Sequence, residues 1–274
     1  MTGTKATGQV AGPSDVDALA HALDRAWETA STLEPLSESV ALSSPELAYR
    51  IQTRWSELRV TTHHDRVIGR KIGLTSRAMQ QQMGVDEPDY GTLWASRHFP
   101  APGGRAVLPS AVFVQPRAEG ELAFLIGKPL RGPSVSTQEV LAATDAIAVS
   151  IEVIDSRITD FRIALTDTVA DNASYGGVVL GPWSASALRS DLRTIGMTID
   201  LDGEMAGQAA GAAALGHPAH AVAWLASRLD QLGTPLEPGD IVLSGSLAPS
   251  IPVSRGAVFT VETHGFPPLC AVFG

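Results

Sequence analysis

The chain reads as an α+β protein, with a small N-terminal helical and mixed region and a larger β-rich C-terminal body. Two patterns predict this. Near the N-terminus apolar residues recur at helical spacing, first Val16, Leu19, Ala20, Leu23 and Trp27, then Leu47, Ile51, Trp55 and Leu58. Further on, short β-branched runs are punctuated by many of the chain's 26 glycines and 18 prolines, the mark of many strands joined by tight turns. A doubly wound nucleotide fold is disfavoured, because no G-x-G-x-x-G follows an early strand and there is no P-loop.

The elements follow in order. Residues 1–12 are small and polar and read as a disordered tail, with no apolar stretch that would make a secretory signal. Ser14, with Asp17 three residues on, is the expected cap of the first helix. Thr32 to Ala41 is expected to be a loop. Ser44 and Pro45 open a second helix. A strand is expected over Arg66 to Leu74, a short helix over Ser76 to Met83 and a turn-rich loop over Gly84 to Leu93. Val107–Leu108 and Ala111–Val114 are short strand candidates, Ser136 to Thr144 is helical, and Ser156 to Ala170 has a weaker helical pattern. Strands are expected at Tyr175–Leu180, Met197–Leu201, Ile241–Ser244, Pro252–Val253 and Ala257–Val261, with a helix over His217–Leu232. Residues 13–100 form the expected mixed region and 101–274 the expected β-rich domain.

With 274 residues, 44% hydrophobic and 18% charged, the composition is that of an ordinary globular protein. A net charge of -9 argues against a nucleic-acid partner, no apolar run is of membrane-spanning length, and the cytoplasm is the expected location. The single cysteine, Cys270, can form neither an internal disulfide nor a zinc motif and is expected to be a buried, inert thiol.

The chemistry centres on Glu119-Gly120-Glu121, which opens an apolar strand running to Ile126. Side chains two apart on a strand share a face, so both carboxylates project together. A third acid, Glu152, lies in the run from Ala146 to Ile154. Three converging acids repel unless a cation holds them, which points to a hard divalent metal; the plain alternative is the wet face of an amphipathic strand. Lys71, beside Gly73, can serve a substrate carboxylate or move a proton, or be a solvated surface charge. Asp89, in Pro-Asp-Tyr-Gly, is a turn former or an acid/base partner of Lys71. Ser174 ends a polar run that either caps a turn or lines a pocket. Arg157 either pairs with Asp155 or recognises a carboxylate. The seven histidines show no metal-ligand spacing, and Gly245-Ser246 lacks a nearby base.

These segments together resemble the 2-keto-4-pentenoate (2-hydroxypenta-2,4-dienoate) hydratase family of the fumarylacetoacetate hydrolase superfamily. The resemblance is carried by Gly69 to Ser76, Pro88 to Gly91, Gln115 to Phe124, Glu152 to Arg157, Asp167 to Ser174 and Leu243 to Leu247. It implies a fumarylacetoacetate hydrolase-like fold, Mg²⁺ or Mn²⁺ on Glu119, Glu121 and Glu152, catalysis by Lys71 and Asp89, and substrate contacts from Ser174, Arg157 and Leu74. It also implies addition of water to 2-hydroxypenta-2,4-dienoate or a close homologue, giving 4-hydroxy-2-oxopentanoate, in meta-cleavage catabolism of aromatic or steroid rings. A homo-oligomer is implied, with the next pathway enzyme as a further partner. The alternatives are a 4-oxalocrotonate decarboxylase, which shares the ligands, a carbon–carbon hydrolase, and a non-catalytic partner subunit. Pro-Arg-Ala-Glu-Gly-Glu favours the hydratase, and the lack of an acid beside His98 disfavours the hydrolase.

Overall fold

Hydrophobic alternation, not length, sets the architecture. The structure, a computed structural model, describes residues 13–39, 42 and 44–274; the expected tail at 1–12 lies outside them. Helix α1 (Pro13–Thr29) begins one residue before Ser14, which therefore falls inside the helix and not at its cap. The expected loop over 32–41 contains a short helix, α2 (Leu36–Ser39). Helix α3 (Pro45–Thr62) starts as expected, with the Ser44 hydroxyl accepting the Leu47 N–H at 3.3 Å. Its apolar stripe packs Trp55 edge-on against Trp27 of α1 at 5.9 Å and against Trp94 at 4.9 Å. Burial of side chains this large contributes roughly 2–3 kcal/mol each.

Strand β1 (Val67–Gly73), helix α4 (Arg77–Met83) and strand β2 (Asp89–Trp94) follow. The expected loop over Gly84 to Leu93 is thus corrected in its second half, since every residue of β2 is buried. Strands β3 (His98–Phe99), β4 (Arg105–Leu108) and β5 (Arg117–Ile126) come next, and Ser110–Val112 is a 3-10 turn in place of an expected strand. Helix α5 (Thr137–Ala143) carries a complete Ser136/Glu139 capping box and leads into β6 (Thr144–Ile154). Helix α6 (Leu165–Ala170), β7 (Tyr175–Leu180), β8 (Gly196–Leu201), β9 (Glu204–Ala210) and α7 (Pro218–Gln231) follow. The chain closes with β10 (Ile241–Leu243), β11 (Ile251–Pro252), β12 (Val258–Thr263) and β13 (Leu269–Phe273).

The large sheet runs β2-β1-β10-β5-β6-β7-β3, with β11 against β5, and the smaller runs β4-β13-β12-β8-β9. Residues 100 and 101 fall between β3 and β4, which belong to different sheets, while β1, β2 and β3 share the large sheet with β5–β7. The large sheet has a core on each face. Leu122, Phe124, Ile151 and Val242 meet Ile199, Phe259 and Val261 of the small sheet. Ala123, Ala148, Leu243 and Val178 meet Leu23, Ile51 and Trp55 of the helices. Strand β13 was not anticipated, and it corrects the expectation for Cys270: the thiol is half-buried, with Arg105 Nη1 3.7 Å from its sulfur. No helix among the described residues is long and apolar enough to cross a membrane.

Candidate metal centre and active site

Strand register places the acids. Glu119 and Glu121 lie on the helix-facing side of β5, as the two-residue period requires. Glu119 is directly opposite Glu152 of β6, and Glu121 is opposite Ser150. Like charges directly opposed across a ladder destabilise it, yet Glu121 and Glu152 are 0% exposed and Glu119 only 9%. Each of the three offers an oxygen within 4.8 Å of the others. Gly120 points to the opposite face, where a Cβ would meet Met197 Sδ at 2.6 Å. It therefore lets the small sheet approach.

Burial, then the neighbouring negative charge of Glu152, pushes Glu119 up to about 8. Burial also lifts Glu121 well above the carboxylate range, with Glu152 and Glu119 adding to it. Glu152 is raised by burial against the pull of Lys71. Glu121 Oε2 accepts the Gly245 N–H at 2.9 Å, but Glu121 Oε1 and both Glu152 oxygens have no hydrogen-bond partner. Lys71 Nζ stands 3.3 Å from Glu152 Oε1, as an ion pair, and donates to the Ala173 carbonyl at 3.0 Å. Burial alone would depress this lysine, but Glu152, Asp89, Glu119 and Glu121 outweigh it and hold the ammonium above its usual range.

Asp89 starts β2 opposite Gly73, the last residue of β1. Its Oδ1 is buried without a partner, and burial raises its carboxyl while Lys71 lowers it. A Cβ on Gly73 would sit 2.1 Å from Asp89 Oδ1 and 3.5 Å from Lys71 Nζ, so this glycine keeps open the space that both groups face. Leu74 follows at φ 55, half-buried, its carbonyl accepting from Gln80 at 2.9 Å.

The loop after α6 covers this row. Asn172, Ala173 and Ser174 all have positive φ, at 54, 50 and 54. Such residues cost roughly 1–3 kcal/mol each and persist only where the surroundings hold them. Asn172 supplies the hold. β2 is an edge strand, and the Asn172 amide fills the missing partner's place: it accepts the Thr92 N–H at 2.7 Å and donates to the Thr92 carbonyl at 2.9 Å. The loop so fixed presents the Ala173 carbonyl to Lys71 and buries the Ser174 hydroxyl 3.4 Å from Thr168 Oγ1. Asn172→Asp keeps the acceptor and loses the donor, so kcat should fall about tenfold with metal affinity within a few-fold, given that a buried hydrogen bond is worth roughly 1–1.5 kcal/mol. Stopped-flow rates beside a metal titration check this, and an unchanged kcat contradicts it.

Residues 66–273 match the family described as fumarylacetoacetate (FAA) hydrolase C-terminal. The chain belongs to the fumarylacetoacetate hydrolase family. It is 42% identical over 243 residues to a 2-hydroxyhexa-2,4-dienoate hydratase of Comamonas testosteroni, covering 89% of this chain and 91% of that one. It is 40% identical over 253 residues to a 2-keto-4-pentenoate hydratase of Paraburkholderia xenovorans (strain LB400), covering 92% and 93%. The structure of 4-oxalocrotonate decarboxylase from Pseudomonas putida G7, complexed with magnesium and adipate, superposes with a TM-score of 0.91 at 31% identity, covering 97% of this chain and all 100% of that one.

Within this member of the family, one expected site residue is not brought to the acids. Arg157 is 1% exposed. Its Nε donates to Asp171 Oδ1 at 2.6 Å, Nη2 to the Asp171 carbonyl at 2.7 Å, and Nη1 to the Asp155 and Tyr175 carbonyls. Its guanidinium lies over Trp27 and Trp55, at 5.4 Å from each ring. The expected role in recognising substrate is corrected to a structural one, with Asp171 and not the Asp155 side chain as its ion partner. Gly245 and Asn172, which sequence reasoning did not single out for the site, support Glu121 and the covering loop.

Proposed function

We propose that the protein adds water to a short 2-hydroxy-2,4-dienoate at a divalent cation, Mg²⁺ or Mn²⁺, held by Glu119, Glu121 and Glu152. The carrying observation is that Glu119 and Glu152 face each other, buried, across one ladder, with three carboxylate oxygens at Glu121 and Glu152 lacking any hydrogen-bond partner. An all-oxygen carboxylate set of this size fits a hard cation and leaves coordination positions for a chelating substrate. Identity with two hydratases at 42% and 40% supports hydration.

A bound cation supplies Lewis-acid polarisation of the substrate's 2-oxygen. The rest falls to the chain. The proton on the 2-hydroxyl must leave and one must reach the terminal carbon, giving the 2-oxo-3-enoate; water then adds its oxygen at C4 and a proton at C3. Lys71, kept charged by its acidic neighbours, balances negative charge that develops on the 2-oxygen. Asp89, with a free Oδ1 facing the space over Gly73, holds and moves the protons. Leu74, next to Gly73 in the chain, and Ser174, next to the Ala173 carbonyl that Lys71 bonds, are the substrate contacts this reading assigns.

The decarboxylase reading is supported by the 0.91 TM-score, and it uses the same electron sink to lose CO₂. Offering 2-hydroxypenta-2,4-dienoate and 2-oxo-3-hexenedioate separately, with Mg²⁺ present, distinguishes the two. Consumption of the first supports hydration, whereas CO₂ release from the second alone overturns it.

A pH dependence follows. Glu119 moves from the ordinary 4.5 to about 8, so between those values the folded, ion-free protein holds a proton that the unfolded chain has lost. That group's contribution to stability is present below about 4.5 and is lost as pH rises toward 8. Cation binding relieves the repulsion and needs the deprotonated form. The rise in melting temperature on adding Mn²⁺ should therefore be larger at pH 8 than at pH 6. Scanning calorimetry of stripped and loaded protein checks this, and a smaller rise at pH 8 contradicts it.

A further inference from the structure

We infer that Ser150 is a positioning residue for the divalent cation, its hydroxyl donating to the Glu121 carboxylate when that group ligates the ion. The inference rests on the cation reading above. Ser150 is 0% exposed, and its Oγ has no hydrogen-bond partner. It lies on β6 directly opposite Glu121 on one side and Leu180 of β7 on the other. Two residues along the same strand face come Glu152 in one direction and Ala148 in the other. Register thus sets Glu121 directly across from the hydroxyl, Glu152 two residues along its own strand and Glu119 diagonally across.

Directly opposed residues have Cβ atoms about 4.5–5.5 Å apart, which brings a serine hydroxyl within reach of a carboxylate by side-chain rotation alone. Glu121 is the better acceptor. Its Oε2 is already fixed by the Gly245 N–H, its Oε1 has no hydrogen-bond partner, and Glu152 Oε1 is already ion-paired with Lys71 at 3.3 Å. A buried hydroxyl left unpaired is a cost to the fold, so this one gains its partner only in the loaded state. Outer-shell donors of this kind fix ligand orientation, and their loss typically costs 10–100-fold in metal affinity.

The test is calorimetric titration of Mn²⁺ into metal-stripped full-length protein, wild type against Ser150→Ala, Ser150→Cys and Ser150→Thr, with the melting temperature of each stripped protein. Ala and Cys should bind Mn²⁺ roughly tenfold or more weakly, at two different volumes, and Thr should stay within a few-fold of wild type. Stripped Ser150→Ala should melt at or above the wild-type temperature, since it loses an unpaired polar group. Wild-type affinity in both Ala and Cys overturns the inference, and so does weaker binding with a lower stripped melting temperature, which would make the hydroxyl a support of the fold. Absence of Mn²⁺ binding by the wild type overturns the cation reading itself, a result distinct from either.

Discussion

Glu121→Gln is expected to lose on the order of 10³-fold in turnover, the equivalent of several kcal/mol of lost Lewis-acid stabilisation, while the fold is kept. The reason lies in the two ends of the carboxylate. Oε2 accepts the Gly245 N–H at 2.9 Å, and Oε1 is left without a hydrogen-bond partner for the cation to take. A glutamine of the same shape must turn its carbonyl oxygen to Gly245, because its NH₂ would otherwise oppose the N–H. The NH₂ then faces the cation and offers it no lone pair. Removing one of three converging buried carboxylates also relieves repulsion, so the ion-free variant should melt no lower than wild type. Turnover near wild type at limiting metal would contradict the ligand assignment.

Gly73→Ala should have the next largest effect, for a steric reason. Gly73 is not among the residues at positive φ, so alanine meets no backbone strain there. Its Cβ, however, would lie 2.1 Å from Asp89 Oδ1 and 3.2 Å from Asp89 Cγ, well inside van der Waals contact. Because Gly73 and Asp89 are paired across β1 and β2, either the aspartate rotates away or the strand ends part. Overpacking of this sort costs roughly 1–3 kcal/mol of stability, and a displacement of about 1 Å at reacting groups costs about 10²-fold in rate. The cation ligands lie on β5 and β6, so Mn²⁺ affinity should stay within a few-fold. Steady-state kinetics and a Mn²⁺ titration on the same sample separate the two effects, and a wild-type kcat would remove Asp89 from the proton path.

The helical N-terminus, the β-rich body and the pairing of Glu119 with Glu121 on one face were legible because each depends on a short period along the chain. What was not legible depends on partners distant in sequence. The opposition of Glu119 and Glu152 is set by the register of β5 on β6, with α5 between them, and no local signal carries that register. Asp89 sits in a turn-like tetrapeptide, yet β2 is a buried strand because β1 and the Asn172 amide pair both its edges. Arg157 stands beside Asp155 in sequence, which offers a local ion pair or a ligand role; its partner, Asp171, is brought to it by the fold at the end of α6. One strand alone says nothing of why residue 120 is glycine; only the second sheet, through Met197, shows what its missing side chain makes room for.

The central claim is that Glu119, Glu121 and Glu152 hold the cation on which a 2-hydroxydienoate is hydrated. NMR of the products from 2-hydroxypenta-2,4-dienoate, run with metal-stripped protein before and after adding Mg²⁺, tests it most directly. The expected result is 4-hydroxy-2-oxopentanoate after Mg²⁺ is restored and little before. Equal formation by the stripped protein, or none in either state, would contradict it.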